Sequence, residues 1–311
     1  MRCVVTGGAG FIGSHLCKQL LDMGKVVCLD NFDPYYDPQV KRKNIESLMD
    51  SPYFELVEGS ILDKQLLNDL FEDVDYVFHN AAQAGVRISV DYPSKSHSAN
   101  ATGTLNILET AVKAGVRKVI NASSSSVYGE VSYLPFDENH PNRPVSPYGA
   151  SKLIAEHYCR VFNDLYDLDT ISLRYFTVFG PRMRPDLAIN IFTKKALKNE
   201  TIEIFGDGNK TRDFTFIDNV VDANIRAMKN GIGEYNIGGG ERISIRELAE
   251  KIVSITASES EIIYSDSMKG DAEHTWSDVN KASRDLGYSP KIGLEEGLKR
   301  YVQWYIDSMG Q

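Results

Sequence analysis

Gly7-Gly8-Ala9-Gly10-Phe11-Ile12-Gly13 decides the fold of this chain through what stands on either side of it. Arg2-Cys3-Val4-Val5-Thr6 precedes it and reads as a buried strand, while Phe11 to Met23 carries the apolar spacing of a helix. Glycines between a strand and a helix let the backbone turn tightly and approach a pyrophosphate, whose charge the helix N-terminus stabilises. A second strand, Lys25 to Asp30, ends in a carboxylate 17 residues after Gly13. An acid there accepts hydrogen bonds from an adenosine ribose and repels a 2′-phosphate. Strand, glycines and acid together predict a site for NAD in preference to NADP.

Working outward, further apolar runs at Phe54 to Glu58, Asp75 to His79, Lys118 to Ser123 and Thr170 to Tyr175 read as strands. Between them lie helical stretches at Leu66 to Phe71, about 100–114 and about 146–166. Strands separated by helices imply right-handed βαβ units and a doubly wound, parallel α/β (Rossmann) sheet. After Gly180 the pattern changes. Pro181 to Pro185 is a basic loop, Ile189 to Lys198 looks helical, and Ile202 to Phe205 is a short strand closed by Gly206-Asp207-Gly208-Asn209. Short elements continue to a last helix, Leu294 to Tyr305. The expected division is an NAD-binding domain of residues 1–176 plus about 215–235, and a smaller α/β substrate lobe of about 177–214 and 236–311. Asp218 to Met228 is expected to pack back on the first. Asn31 to Lys43, with Tyr35 and Tyr36, is too long for an ordinary βα turn and reads as a mobile flap.

Composition narrows the function. The 311 residues are 42% hydrophobic and 25% charged, as in a globular chain. No apolar run approaches the ~20 residues of a membrane span, and Met1-Arg2 leads into a strand instead of a cleavable signal. With 34 basic against 43 acidic residues the net charge is −9, which disfavours nucleic acid as a partner. Cys3, Cys17, Cys28 and Cys159 are scattered and read as reduced core thiols, pointing to the cytoplasm. The six histidines show no metal-ligand spacing, so no metal is expected, and His79 and His157 read as packing or surface residues.

Tyr148-Gly149-Ala150-Ser151-Lys152 places a phenol and an ammonium on one helix face. A nearby ammonium favours phenolate, so such a tyrosine can act as a base. Ser123-Ser124-Ser125-Ser126 ends the strand from Lys118, and ligands bind at such strand ends in this architecture. A hydroxyl there can hold a substrate oxygen and relay its proton.

With Gly7 to Gly13, Ser124, Tyr148 and Lys152 in place, the chain resembles the extended short-chain dehydrogenase/reductase family, the nucleotide-sugar epimerases in particular. The likeness extends to Gly206-Asp207-Gly208 and Arg212-Asp213-Phe214. It implies tightly held NAD and a UDP-sugar. Tyr148 would take the C4 hydroxyl proton, Lys152 would bind the nicotinamide ribose and lower the phenol pKa, and Ser124 would position the reacting oxygen. It further implies that Asn31, Ile61, Ala81, Ala82, Asn100 and Tyr175 lie at the cofactor. Relatives also pair the helices from about Asn100 and Ser146 into a four-helix homodimer interface; here those helices carry Leu105, Leu108, Ala111 and Leu153, Ile154, Tyr158.

Residue differences then select the reaction. The related dehydratases carry an Asp-Glu pair, and UDP-glucuronate decarboxylases a glutamate, where Ser125 and Ser126 stand here. C4 epimerisation remains. Tyr175 to Ala188, with Thr177 and Arg182-Met183-Arg184-Pro185-Asp186, resembles UDP-glucuronate 4-epimerases, as do Asp33 to Asp37 and Ala84 to Arg87. A C6 carboxylate wants hydroxyl donors and a cation. Thr177, Ser125, Ser126 and Arg184, with Arg87 second, could supply them. By the same resemblance Arg212 and Asp271 meet the nucleotide, and Ile204 and Phe205 border the uracil. Two departures stand out, Met268 where relatives often have arginine and Ser60 where many have aspartate. The alternatives are a UDP-glucose/UDP-galactose or UDP-N-acetylhexosamine 4-epimerase, and, from another class, a non-catalytic NAD-binding sensor.

Overall fold

The computed structural model describes residues 1–266 and 273–309. Six strands follow in order, β1 (Arg2–Thr6), β2 (Lys25–Asp30), β3 (Phe54–Glu58), β4 (Tyr76–His79), β5 (Lys118–Ser124) and β6 (Asp169–Tyr175). Beyond them come β7 (Val178–Phe179), β8 (Ile202–Phe205), β9 (Thr211–Asp213), β10 (Thr215–Phe216), β11 (Gly233–Ile237), β12 (Arg242–Ser244) and β13 (Ile262–Ser265).

The central sheet has seven strands in the order β11-β6-β5-β4-β1-β2-β3, every neighbouring pair parallel. This is the doubly wound sheet that the alternation predicts. Side-chain alternation divides its core. Cys3, Val5, Val26, Cys28, Phe78 and Ile120 face helices Phe11–Leu21 and Ile217–Lys229, which pack on each other. Val4, Val27, Leu29, Val77 and Val119 face helices Lys64–Leu70, Gly103–Ala114 and Pro147–Tyr166. Burial on both faces is why the inner strands read as continuous apolar runs. The order reverses between β1 and β4, so their C-terminal ends, at Gly7 and Asn80, flank the crevice where this architecture binds ligands.

Three two-stranded sheets, β7 with β10, β8 with β13 and β9 with β12, build the second part of the described residues together with helices Ala188–Ala196, Ile245–Ile255, Asn280–Leu286 and Leu294–Met309. One apolar cluster runs from Val5 through Phe179 to Ile204, Leu248, Ile252 and Tyr301. The Asn31 to Lys43 segment differs from the expected flap. Its second half is the start of helix Pro38–Ile45, where the Asp37 side chain accepts from Gln39 N at 2.9 Å and Pro38 fills the first helical position. Arg42 ties it to Glu58, and Lys41 to Asp30. A π-helical turn, Ser98–Thr102, leads into helix Gly103–Ala114. On that helix Leu108 and Ala111 are wholly buried within the chain, so they are core and not a free face. All four cysteines are buried and free. No helix among the described residues is long and apolar enough to cross a membrane.

Candidate active site

A cavity of about 560 Å³ runs along the crevice. At one end it is lined by Gly7, Gly10, Phe11, Ile12 and Gly13, with Asp30, Asn31 and Ile61 beside them. A Cβ at Gly13 would sit 2.2 Å from Gly7 O, so only glycine lets the helix start this close to the loop. Gly10 caps the helix without a side-chain hydrogen bond, leaving its first-turn amides for an anion. These features fit the diphosphate and adenosine of NAD. Asp30 is buried; one carboxylate oxygen accepts from Phe32 N at 2.8 Å and Lys41 Nζ at 3.0 Å, the other from Ala9 N at 3.2 Å. Lys41 was not signalled by the sequence, and it partly offsets the acid's charge toward the cavity.

Ser60, Ala81, Ala82, Tyr148, Lys152, Tyr175 and Arg184 line the same cavity. Asn100 does not line it. Its Oδ1 accepts from Gln83 N at 2.8 Å and its Nδ2 donates to Gln83 O and Ser151 Oγ. It therefore stiffens the wall from behind, because the wide π turn sets it under the 80–84 loop. Tyr175 exchanges hydrogen bonds with Asn224, and burial pushes its phenol well up.

Tyr148 lies in the first turn of helix Pro147–Tyr166, held at three points. Ser146 caps the helix by accepting from Gly149 N at 3.1 Å, Ser89 Oγ accepts from Tyr148 N at 3.0 Å, and Ser151 Oγ donates to Tyr148 O at 2.8 Å. Ser89 was missed, since no local pattern announces a partner 59 residues away. Lys152 is buried and donates to Ala122 O at 2.8 Å; burial pushes its pKa down to about 8, against the pull of Cys159 and Glu156. Burial raises the Tyr148 phenol, opposed by a hydrogen bond with Ser124 and by the charge of Arg184. Lys152 stands one turn further along the same helix. Its ammonium is turned to a backbone carbonyl on β5.

Ser124 also accepts from Ser126 N at 3.1 Å and donates to Ser126 Oγ at 3.2 Å, closing a tight turn over Ser125–Val127. Ser125, Ser126 and Thr177 are half-buried outside the main cavity wall. Arg184 forms a two-pronged pair with Asp186, while Arg87 lies over the Phe205 ring at 5.7 Å. Phe205 is exposed but Ile204 is 1% exposed, packed in the core. Neighbours on a strand point to opposite faces, so Ile204 cannot share a ligand with Phe205, and the expectation for it is corrected. Arg212 Nη1 donates to Thr211 O and Glu273 O. Asp271 and Met268 lie outside the described residues. His79 sits buried between Thr6 and Thr104, and His157 contacts Arg160. Among the described residues no group of acidic, histidine or cysteine side chains is arranged to hold a metal ion.

The model of the NAD dependent epimerase/dehydratase family matches residues 3–238. The chain belongs to this family. A UDP-glucuronate 4-epimerase of Thermodesulfobacterium geofontis is 40% identical over 307 residues, covering 97% of this chain and 95% of that one. Among solved structures, UDP-glucuronic acid 4-epimerase from Bacillus cereus, in complex with UDP-glucuronic acid and NAD, superposes with TM-score 0.94 at 38% identity over 99% of this chain and 100% of that one. UDP-glucose 4-epimerase from Thermotoga maritima with UDP-glucose gives TM-score 0.93 at 37% identity, with the same coverage.

Proposed function

We propose that this chain is an NAD-dependent UDP-sugar 4-epimerase that interconverts UDP-glucuronate and UDP-galacturonate. One observation carries the choice of an acidic sugar: Arg184 lies at the cavity wall with its charge acting on the Tyr148 phenol. The C6 carboxylate of a hexuronate is attached to C5, next to the C4 hydroxyl that this phenol must meet. Residues 1–176 with about 215–235 would hold the cofactor, and about 177–214 with 236–311 the sugar nucleotide.

Bound NAD supplies a reversible hydride acceptor. Tyr148 takes the C4 hydroxyl proton as C4 is oxidised and returns it when the keto sugar, presented by its other face, is reduced. The one hydroxyl hydrogen of Ser124, turned from Ser126 Oγ, steadies the phenolate when Tyr148 is charged and the C4 keto oxygen once Tyr148 holds the proton. Lys152 and Tyr175 shape the cavity around the nicotinamide end, and Gly7 to Gly13 with Asp30 the diphosphate and adenosine end. A 4-keto glucuronate is a β-keto acid, which loses CO₂ when its carboxylate bond aligns with the carbonyl π system. Ser125, Ser126, Thr177 and Arg184, with no carboxylate at the serine turn, would hold the acid out of that alignment.

The test is to incubate the protein with UDP-glucuronate and follow the sugar protons by NMR. UDP-galacturonate with little UDP-pentose is expected, and Thr177→Val or Arg184→Ala raises the pentose share. A second reading, UDP-glucose/UDP-galactose epimerisation, has support in the pairing of Arg184 with Asp186, which reduces its charge. Inert UDP-glucuronate together with interconversion of UDP-glucose would select it.

We place the protein in the cytoplasm as a homodimer through helices Gly103–Ala114 and Pro147–Tyr166. Four free buried thiols support the first. Val161, Leu165 and Tyr166, exposed on the second helix, support the other. Light scattering at twice 34.7 kDa checks the dimer, and a monomer refutes it.

A further inference from the structure

We infer that Asp186 is an internal stand-in for the substrate's carboxylate, displaced from Arg184 by an acidic sugar and not by a neutral one. The inference rests on the uronate reading above. Arg184 Nε donates to Asp186 Oδ1 at 2.9 Å and Nη2 to Oδ2 at 3.1 Å. This side-on pairing through both oxygens is the geometry an incoming carboxylate would adopt. Tyr35 OH donates to Asp186 Oδ2 at 3.0 Å, and its ring lies 5.6 Å under the guanidinium.

The two partners differ in what surrounds them. The Arg184 side chain is 20% exposed and lines the cavity, as does Leu187. Asp186 between them is 40% exposed and does not line the cavity. An acid so placed regains water readily once released and keeps the Tyr35 hydroxyl as a partner. Exchange of one carboxylate for another leaves Arg184 paired throughout, so an acidic sugar meets little barrier in free energy. A neutral C6 hydroxymethyl group cannot replace an ion pair, and Arg184 stays with Asp186. Asp186 thereby tempers how tightly Arg184 holds an acidic sugar, without needing to touch substrate.

Binding is read by calorimetry on NAD-loaded protein in a Tyr148→Phe background, where no turnover occurs, with UDP-glucuronate and UDP as ligands. Asp186→Asn removes the competitor on an exposed loop where folding is not at stake. UDP-glucuronate should tighten roughly fivefold, the weight of one partly exposed ion pair, while UDP is unchanged. Arg184→Ala should weaken UDP-glucuronate and abolish the effect of Asp186→Asn. Equal tightening of both ligands would reveal only a general charge effect, and weaker UDP-glucuronate binding would make Asp186 a positioner; either overturns the inference while leaving the uronate reading intact. Unchanged UDP-glucuronate binding in Arg184→Ala would overturn both.

Discussion

Gly149→Ala should separate catalysis from stability in this protein. Gly149 follows Tyr148 directly, and a Cβ built on it falls 2.4 Å from Ser126 O and 3.0 Å from Pro144 Cβ. A carbon and a carbonyl oxygen do not approach closer than about 3.2 Å without repulsion. Ser126 O belongs to the backbone of the serine turn, so no rotamer change can relieve the clash. The first turn of the catalytic helix must therefore back away from that turn by about 0.8 Å. This carries Tyr148 away from Ser124, whose hydrogen bond opposes the burial that raises the phenol pKa. A displacement near 1 Å in a reacting pair can reduce turnover by roughly 10²-fold. Intrinsic helix propensity moves the other way, since alanine is favoured over glycine by about 0.5–1 kcal/mol in a helix interior. The expected outcome is a fall in kcat between tenfold and a hundredfold, with NAD retention unchanged and a thermal midpoint near wild type. Coupled assay of epimerisation and differential scanning calorimetry measure the two sides. A kcat within twofold of wild type would show that helix and turn need not touch for the phenol to work.

Tyr148→Phe should abolish epimerisation while the protein still binds UDP-sugar; a variant that keeps its cellular role without the phenol would favour the sensor reading. Ser124→Ala removes a hydrogen bond that lowers the Tyr148 pKa, so that pKa rises further. The phenolate is the active form, so the ascending limb of kcat against pH should move to higher pH, and an unmoved limb would confine Ser124 to positioning. Glu156→Gln leaves the Arg174 guanidinium without a counter-charge in a pair whose side chains are 3% and 1% exposed. Urea unfolding should show a loss of about 3–5 kcal/mol, and a loss below 1 kcal/mol would contradict that account.

The parts of the site that the sequence made legible are those written in short stretches. β1, the glycines and the helix after them are contiguous, Asp30 falls at a strand end, and Tyr148 with Lys152 shares a helical turn. The parts that stayed hidden are pairings fixed by strand order and loop path. Ser89 reaches Tyr148 across 59 residues, and Tyr35 reaches Asp186 across 151. No local pattern encodes such partners. Two of the differences have their signals in the sequence itself. Strand periodicity already forbids Ile204 and Phe205 from bordering one ring. Asp37-Pro38 is a helix-start signal within Asn31 to Lys43.

The two sides of the cavity are built differently, and the difference suits an epimerase. Behind Tyr148 and Lys152 runs a chain of buried, hydrogen-bonded polar groups. Glu156 takes Arg174 at 2.9 and 2.7 Å and Ser123 Oγ at 2.5 Å. Arg174 continues to Tyr128 OH at 3.0 Å, and that hydroxyl donates to Asn236 Oδ1 at 2.6 Å. Asn236 Nδ2 then binds Phe136 O and Asp278 O, tying the catalytic helix to the C-terminal part of the chain. Low dielectric makes each link strong and each loss severe. The proton-transfer groups thus keep one geometry while the keto sugar turns. Across the cavity Arg184 is held by a partly exposed pair on a loop, which can be traded at little free-energy difference. A turning substrate needs a yielding contact for its carboxylate and a fixed one for its C4 oxygen. The buried Glu156–Arg174 network behind the catalytic helix favours the fixed role for Tyr148, and the partly exposed pair with Asp186 the yielding one for Arg184.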